Sequence, residues 1–167
     1  LHRVDRRQSH MCIRYSDQQV IPNGPMYNDI SGMVIIKGAL YVFHAPDPDS
    51  SHTETIEGYS KFIKDQWEVQ RVEGFNNISG ITQFKGKLFL SSYGQGIYDF
   101  EGEKLLSYPE FNNATITDMY SQDDFLWFTN YMSQKPLGCF DGESLSFISS
   151  TQLGTTTPLY IVESSEN

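Results

Sequence analysis

The sequence predicts an all-β chain built from repeated four-stranded antiparallel units. Three observations lead there. No window of eleven residues sustains the i, i+3, i+4, i+7 spacing of an amphipathic helix, so almost no helix is expected. Phe and Tyr supply most of an aromatic content of 14%, which suits pleated, half-buried strands, and Gly and Pro punctuate the chain at short intervals. The stretch 75–108 reads as one complete unit, and other stretches read as imperfect copies of it.

Within that unit four strands follow one another. Ile78 to Phe84 is the first, and the pair Lys85-Gly86 turns the chain, because Gly accepts the positive φ that tight hairpins need. Lys87 to Ser92 is the second strand. Tyr93 to Gly96 forms a loop, and Ile97 to Phe100 is a third strand that alternates as a half-buried strand does. Glu101-Gly102 turns again, and Lys104 to Tyr108 is the fourth. So small a sheet cannot bury both faces alone and must stack on a neighbour.

The copies share markers. Leu40, Leu88 and Leu126 each stand ten residues after Ile30, Ile78 and Ile116. An aromatic is followed five residues later by a large apolar residue at Phe62/Trp67, Phe100/Leu105 and Phe140/Leu145. The steps between the Ile markers are 48 and 38 residues. Self-similarity at this period, with four strands per repeat, predicts a β-propeller whose repeats are blades. Residues 1–20 align without gaps on 126–145, with Leu1 on Leu126, Tyr15 on Phe140 and Val20 on Leu145. Residues from Pro158 onward begin a new unit with a single strand. The expectation is one domain, 1–167, with four blades at about 1–22 plus 157–167, 28–73, 76–110 and 114–150. The C-terminal strand then pairs with the three N-terminal ones. Two other arrangements fit the same pattern: part of a larger propeller, or a homodimer closed by strand exchange. The expected inter-blade core is Ile35, Leu40, Val42, Phe84, Leu88, Leu90, Phe100, Met119, Leu126, Phe128 and Phe140.

The combination of a turn, Leu-Trp/Phe/Tyr and Thr/Ser, then an aromatic with Asp-Gly or Glu-Gly, is best seen in Asp123–Asn130 with Cys139–Leu145. It resembles the propeller repeats of bacterial two-component regulator sensors. The small-Gly pair between those strands is only partly present, as Gly94-Gln95-Gly96. The Gly-His and Trp-Asp pairs of WD repeats, the double glycines of kelch repeats and the aspartate boxes of sialidases are lacking.

A net charge of −9 argues against a general affinity for nucleic acid, whose phosphates want Lys and Arg. No apolar run is long enough for a membrane span. A soluble chain is expected, with an extracytoplasmic or virion-associated setting favoured and the compartment otherwise left open. Cys12 and Cys139 fall on equivalent third strands of different blades with the same side parity, so two free thiols are expected.

In a propeller the connections between blades and the loops after the second strands share one face. Here that face carries Asn28, Asn76, Asn77, Asn112 and Asn113 from the connections. The loops bring Arg6, Arg7, His44, Tyr93, Gln95, Asn130 and Tyr131. Amides donate and accept, and Tyr offers a flat apolar face, which suits a peptide backbone or a sugar. The competing reading is that Asn side chains bond nearby backbone in turns. The insertion 44–59 holds His44, Asp47, Asp49, His52 and Glu54, but its spacing fits no calcium loop and only weakly a zinc site. No metal and no cofactor are expected. No nucleophile elbow, His-Glu-x-x-His or phosphate-binding glycine loop is present, so no catalytic residue is assigned. Asn77-Ile78-Ser79 and Asn113-Ala114-Thr115 match the glycosylation acceptor pattern. The expected function is a non-catalytic binding module for a protein, peptide or glycan ligand. A structural assembly subunit, as in a virion or phage tail, and a glycan hydrolase or lyase are the alternatives.

Overall fold

The computed structural model describes residues 24–27, 30–44, 55–102, 104–106, 108, 111 and 113–162, with the backbone of 14–15 and 18–19. A short hairpin joins β1 (Arg14–Tyr15) to β2 (Gln18–Gln19). Three four-stranded antiparallel meanders follow. The first sheet is β3 (Gly32–Ile36), β4 (Ala39–Phe43), β5 (Tyr59–Ile63) and β6 (Gln66–Gln70). The second is β7 (Ile78–Phe84), β8 (Lys87–Ser92), β9 (Gly96–Asp99) and β10 (Lys104–Leu105). The third is β11 (Thr115–Gln122), β12 (Phe125–Tyr131), β13 (Leu137–Phe140) and β14 (Leu145–Ile148). One turn of helix, α1 (Ser150–Leu153), follows β14. A reciprocal capping box between Ser149 and Gln152 starts it, and Gly154 at φ 82° stops it.

The hairpin turns have a local cause. Lys37-Gly38 and Lys85-Gly86 place both residues at positive φ, the twist that a two-residue hairpin needs to match its strands. From there the period of two does the rest. Tyr41 and Phe43 on one face of the first sheet pack with Ile81 and Leu90 of the second. Phe84, Phe89 and Ile97 on the other face of the second sheet pack with Leu126, Phe128 and Phe140 of the third. The sheets thus stack face to face in chain order, and β7 lies against both β3 and β11.

The strand pattern expected at 78–84 and 87–92 matches the structure. Val42, Phe84, Leu90, Met119, Leu126, Phe128 and Phe140 are buried as expected, while Leu40, Leu88 and Phe100 are partly buried. Ile35 corrects the expected core, because it is 74% exposed. It stands opposite Leu40, on the face of the first sheet turned away from the second. The marker Ile30 is also exposed, whereas Ile78 and Ile116 are fully buried. The aromatic-to-apolar pairs Phe62/Trp67 and Phe140/Leu145 sit directly opposite one another. In the second sheet the register instead sets Tyr98 against Leu105, so Phe100 falls in the turn. Cys139 is a half-buried free thiol, and Cys12 lies outside the described residues. Among the described residues no helix is long and apolar enough to cross a membrane.

Candidate functional site

One end of the stack is stitched backbone to backbone. Glu57, before β5, bridges Asn76, and the Asn77 amide donates to the Ile56 carbonyl at 2.7 Å. The Tyr93 amide, after β8, donates to the Asn77 carbonyl at 3.0 Å, and Tyr93 bridges Thr115 at the start of β11. Gly94 donates to the Ala114 carbonyl at 3.0 Å. Thr115 stands opposite Tyr131 at the end of β12, and beyond it the Ser133 amide donates to the Thr156 carbonyl at 3.2 Å. The connections and the loops after the second strands therefore meet at this end. Each loop clasps the chain as it enters the next unit.

Several of the expected ligand-binding residues are part of that stitching. The Asn77 side-chain oxygen accepts from the Ile56 amide at 2.8 Å. Gln95 accepts from the Asn76 amide and donates to the Gly74 carbonyl, both at 2.6 Å. Asn130 is buried, with its amide donating to the Pro136 carbonyl at 2.8 Å. His44 is fully buried rather than on a rim: its Nε2 lies 3.3 Å from Ser60 Oγ and its ring meets Tyr27 edge-on. Asn76 presents a buried side-chain oxygen with no hydrogen-bond partner. Arg6, Arg7, Asn28 and Asn112 lie outside the described residues, as do Asp47, Asp49, His52 and Glu54 of the insertion. Asn113 is exposed, and Tyr93 and Tyr131 are half-buried. Asn76, Asn77 and Gln95 are half-buried as well.

Met132 was not legible in the sequence. It is 75% exposed and sits at φ 55°. The other non-glycine residues at positive φ among those described are Lys, Asp and Asn, and nothing about a Met announces such a backbone. Its loop is held on both sides: by the bonds of Asn130 and Ser133 just described, by Lys135 N to Ser133 Oγ at 3.0 Å, and by Ser150 N to the Gln134 carbonyl at 2.9 Å.

The first strands of the three sheets line a groove of about 570 Å³, with Ile35, Ser79, Thr82 and Asp118 in its wall. The β7–β8 and β11–β12 ladders both break register there, between Ile78 and Gly80 and between Ile116 and Met119. The break turns a hydroxyl toward the next unit. Ser79 donates to the Ile116 carbonyl and meets Ser91 Oγ at 3.0 Å. Thr117 meets Thr129 Oγ1 at 2.7 Å and donates to the Pro158 carbonyl at 3.1 Å. A sequence signal for this pair existed, since Ser79 and Thr117 each directly follow a marker Ile. Asp118 accepts from the Ile161 amide at 2.7 Å and from Met119 at 2.9 Å. Burial pushes its carboxyl above the ordinary aspartate value, and these two N–H groups offset only part of that rise. Among the described residues no three His, Cys, Asp or Glu side chains are grouped to hold a metal ion.

These features define a class, an all-β stack of antiparallel meanders with one end where loops and connections are hydrogen-bonded together. No family model matches the chain, and no curated protein matches it. One solved structure shares the fold: PorZ, an essential bacterial surface component of the type-IX secretion system of Porphyromonas gingivalis. It superposes with a TM-score of 0.58 over 76% of this chain at 18% identity. The matched region is 20% of the PorZ chain.

Proposed function

We propose that the chain is a non-catalytic β-propeller interaction module. Its three sheets are consecutive blades around the groove, and it binds a protein or peptide through the end formed by Tyr93, Asn113, Tyr131 and Met132. The observation that carries this reading is the display of Met132. A non-glycine residue in the left-handed region costs roughly 1–2 kcal/mol, and it persists where surrounding bonds over-determine it, commonly at functional sites. A flexible thioether at an end that also carries Tyr93 and Tyr131 is a composition that protein interfaces favour. The fixed backbone around it lowers the ordering cost of binding. The fold it shares with a surface component of a secretion system is consistent with an interaction role.

The test screens the immobilised chain against a random peptide library and a glycan array. Saturable peptide binding, lost in Met132→Asp and weakened in Tyr93→Ala and Tyr131→Ala with the fold intact by circular dichroism, is the expected outcome. Binding unchanged by all three substitutions, or confined to glycans, overturns the reading.

A further inference from the structure

We propose that residues 158–162 form the first strand of a fourth sheet, and that the cavity beside them is the docking site of residues 1–20 of this same chain. The proposal rests on the propeller reading for the arrangement of the sheets, and on nothing in the binding reading.

The hydrogen bonds repeat. Ser79 in β7 donates to the Ile116 carbonyl of β11, braced by Ser91. Thr117 in β11 donates to the Pro158 carbonyl, braced by Thr129. At the loop end Gly94 reaches the Ala114 carbonyl, and Ser133 reaches the Thr156 carbonyl. Residues 156–161 therefore stand to the third sheet as 114–119 stand to the second. Asp118 adds a bond to the Ile161 amide.

The packing does not repeat. The second sheet's face is covered by Leu126, Phe128 and Phe140, which come from β12 and β13. The matching face of the third sheet, with Trp127, Leu137 and Ile148, borders an open cavity of about 400 Å³ that Pro158, Tyr160 and Ile161 also line. Tyr160 and Val162 are 78% and 84% exposed. Among the described residues no second and third strand with inward apolar residues cover this face. Residues 1–20 match 126–145 without a gap, which sets Leu1 at the place of Leu126 and Ile13 and Tyr15 at those of Gly138 and Phe140. Within that stretch Arg14–Tyr15 and Gln18–Gln19 pair antiparallel, with Tyr15 opposite Gln18, whereas Phe140 stands opposite Leu145, so the two share strand order and differ in register by two residues.

The proposal fixes a register. Tyr120 faces Trp127 across β11 and β12, and the same pairing sets Val162 opposite His2. The test is His2→Cys with Val162→Cys in the full chain, in a Cys12→Ser, Cys139→Ser background, under mild oxidation. A disulfide within the monomer, with a raised Tm, is the expected result. The shifted pair His2→Cys with Leu159→Cys should stay reduced. Two results overturn the proposal: a reduced pair in a chain that folds as the background does, or a disulfide between two chains, which makes the occupant a second copy. The reduced double variant is also put through the peptide screen. Cross-linking without binding sinks only the interaction reading, and binding without cross-linking sinks only the docking.

Discussion

The second and third sheets meet across a filled interface, while the third sheet and residues 158–162 meet across an open one. The same hydroxyl-to-carbonyl bond sits at the root of both. The comparison separates two roles that a packed interface usually hides. The hydroxyl bond sets where the next first strand lies, and a hydrogen bond of this kind contributes only about 0.5–1.5 kcal/mol net. The second and third strands supply the bulk of the stability, because each buried Leu or Phe side chain adds roughly 1.5–3 kcal/mol.

The sharpest way to break the comparison is to empty each face in turn. Phe128→Ala, on the filled side, is expected to cost about 3–5 kcal/mol in urea denaturation. Trp127→Ala, on the face that residues 1–20 are proposed to cover, should cost a comparable amount in the full chain. A loss less than half as large would mean that this face stays open. Overpacking the same spot comes next. A Cβ on Gly138 would stand 2.1 Å from the Phe128 ring, which is itself flanked edge-on by Phe111 and Phe147. Gly138→Ala is therefore expected to cost about 1–3 kcal/mol, and a neutral result would show that the ring has room to turn.

The stitches should show smaller effects. Ser79→Ala leaves the buried end of the Ile116 carbonyl without its side-chain donor and is expected to lower stability by about 1–2 kcal/mol. Thr117→Val should lower it less, and its signature is local: faster hydrogen exchange at Ile161 with little change in β7.

The smallest effects are pH-dependent and run in opposite directions at Asp118 and Asp141. Asp118 binds its proton more tightly in the folded chain, because burial penalises its charge. Its contribution is therefore full below the ordinary aspartate range and is lost as pH rises through the higher folded value. Asp141 behaves oppositely. The Ser144 and Glu143 amides hold its carboxylate and lower its pKa, so its contribution is present above the ordinary range and is lost as pH falls through the lowered value. Carboxyl chemical shifts followed by NMR should place the two midpoints on opposite sides of the ordinary value. Asp118→Asn should remove the first trend alone.

Much of this was legible in the sequence, and the limit has a physical form. Strand positions follow from period and turn chemistry, which are local, so β7 and β8 and the turn at Lys85-Gly86 could be read directly. Faces were harder. The period says that Leu88 and Leu90 share a side, but both sides of a stacked sheet are apolar, so Phe89 and Tyr41 were passed over as core. Ile35 was counted as core because alternation alone does not say which face has a neighbour. The loop end was legible as a place but not as a set of bonds. Asn77 and Gln95 were read as ligand groups, yet their amides satisfy the backbone of the adjoining unit. His44 went into the interior beside Ser60, a contact made across the insertion and invisible to spacing. Met132 owes its exposure to a backbone angle imposed by its surroundings.

Amide hydrogen exchange across 158–162 in the full chain tests the central claim most directly. If the segment is the first strand of a further sheet, alternate amides there should exchange at rates comparable to those of β11, with Ile161 among the slow ones. Exchange of the whole segment at unstructured-chain rates, with β11 still protected, would contradict it.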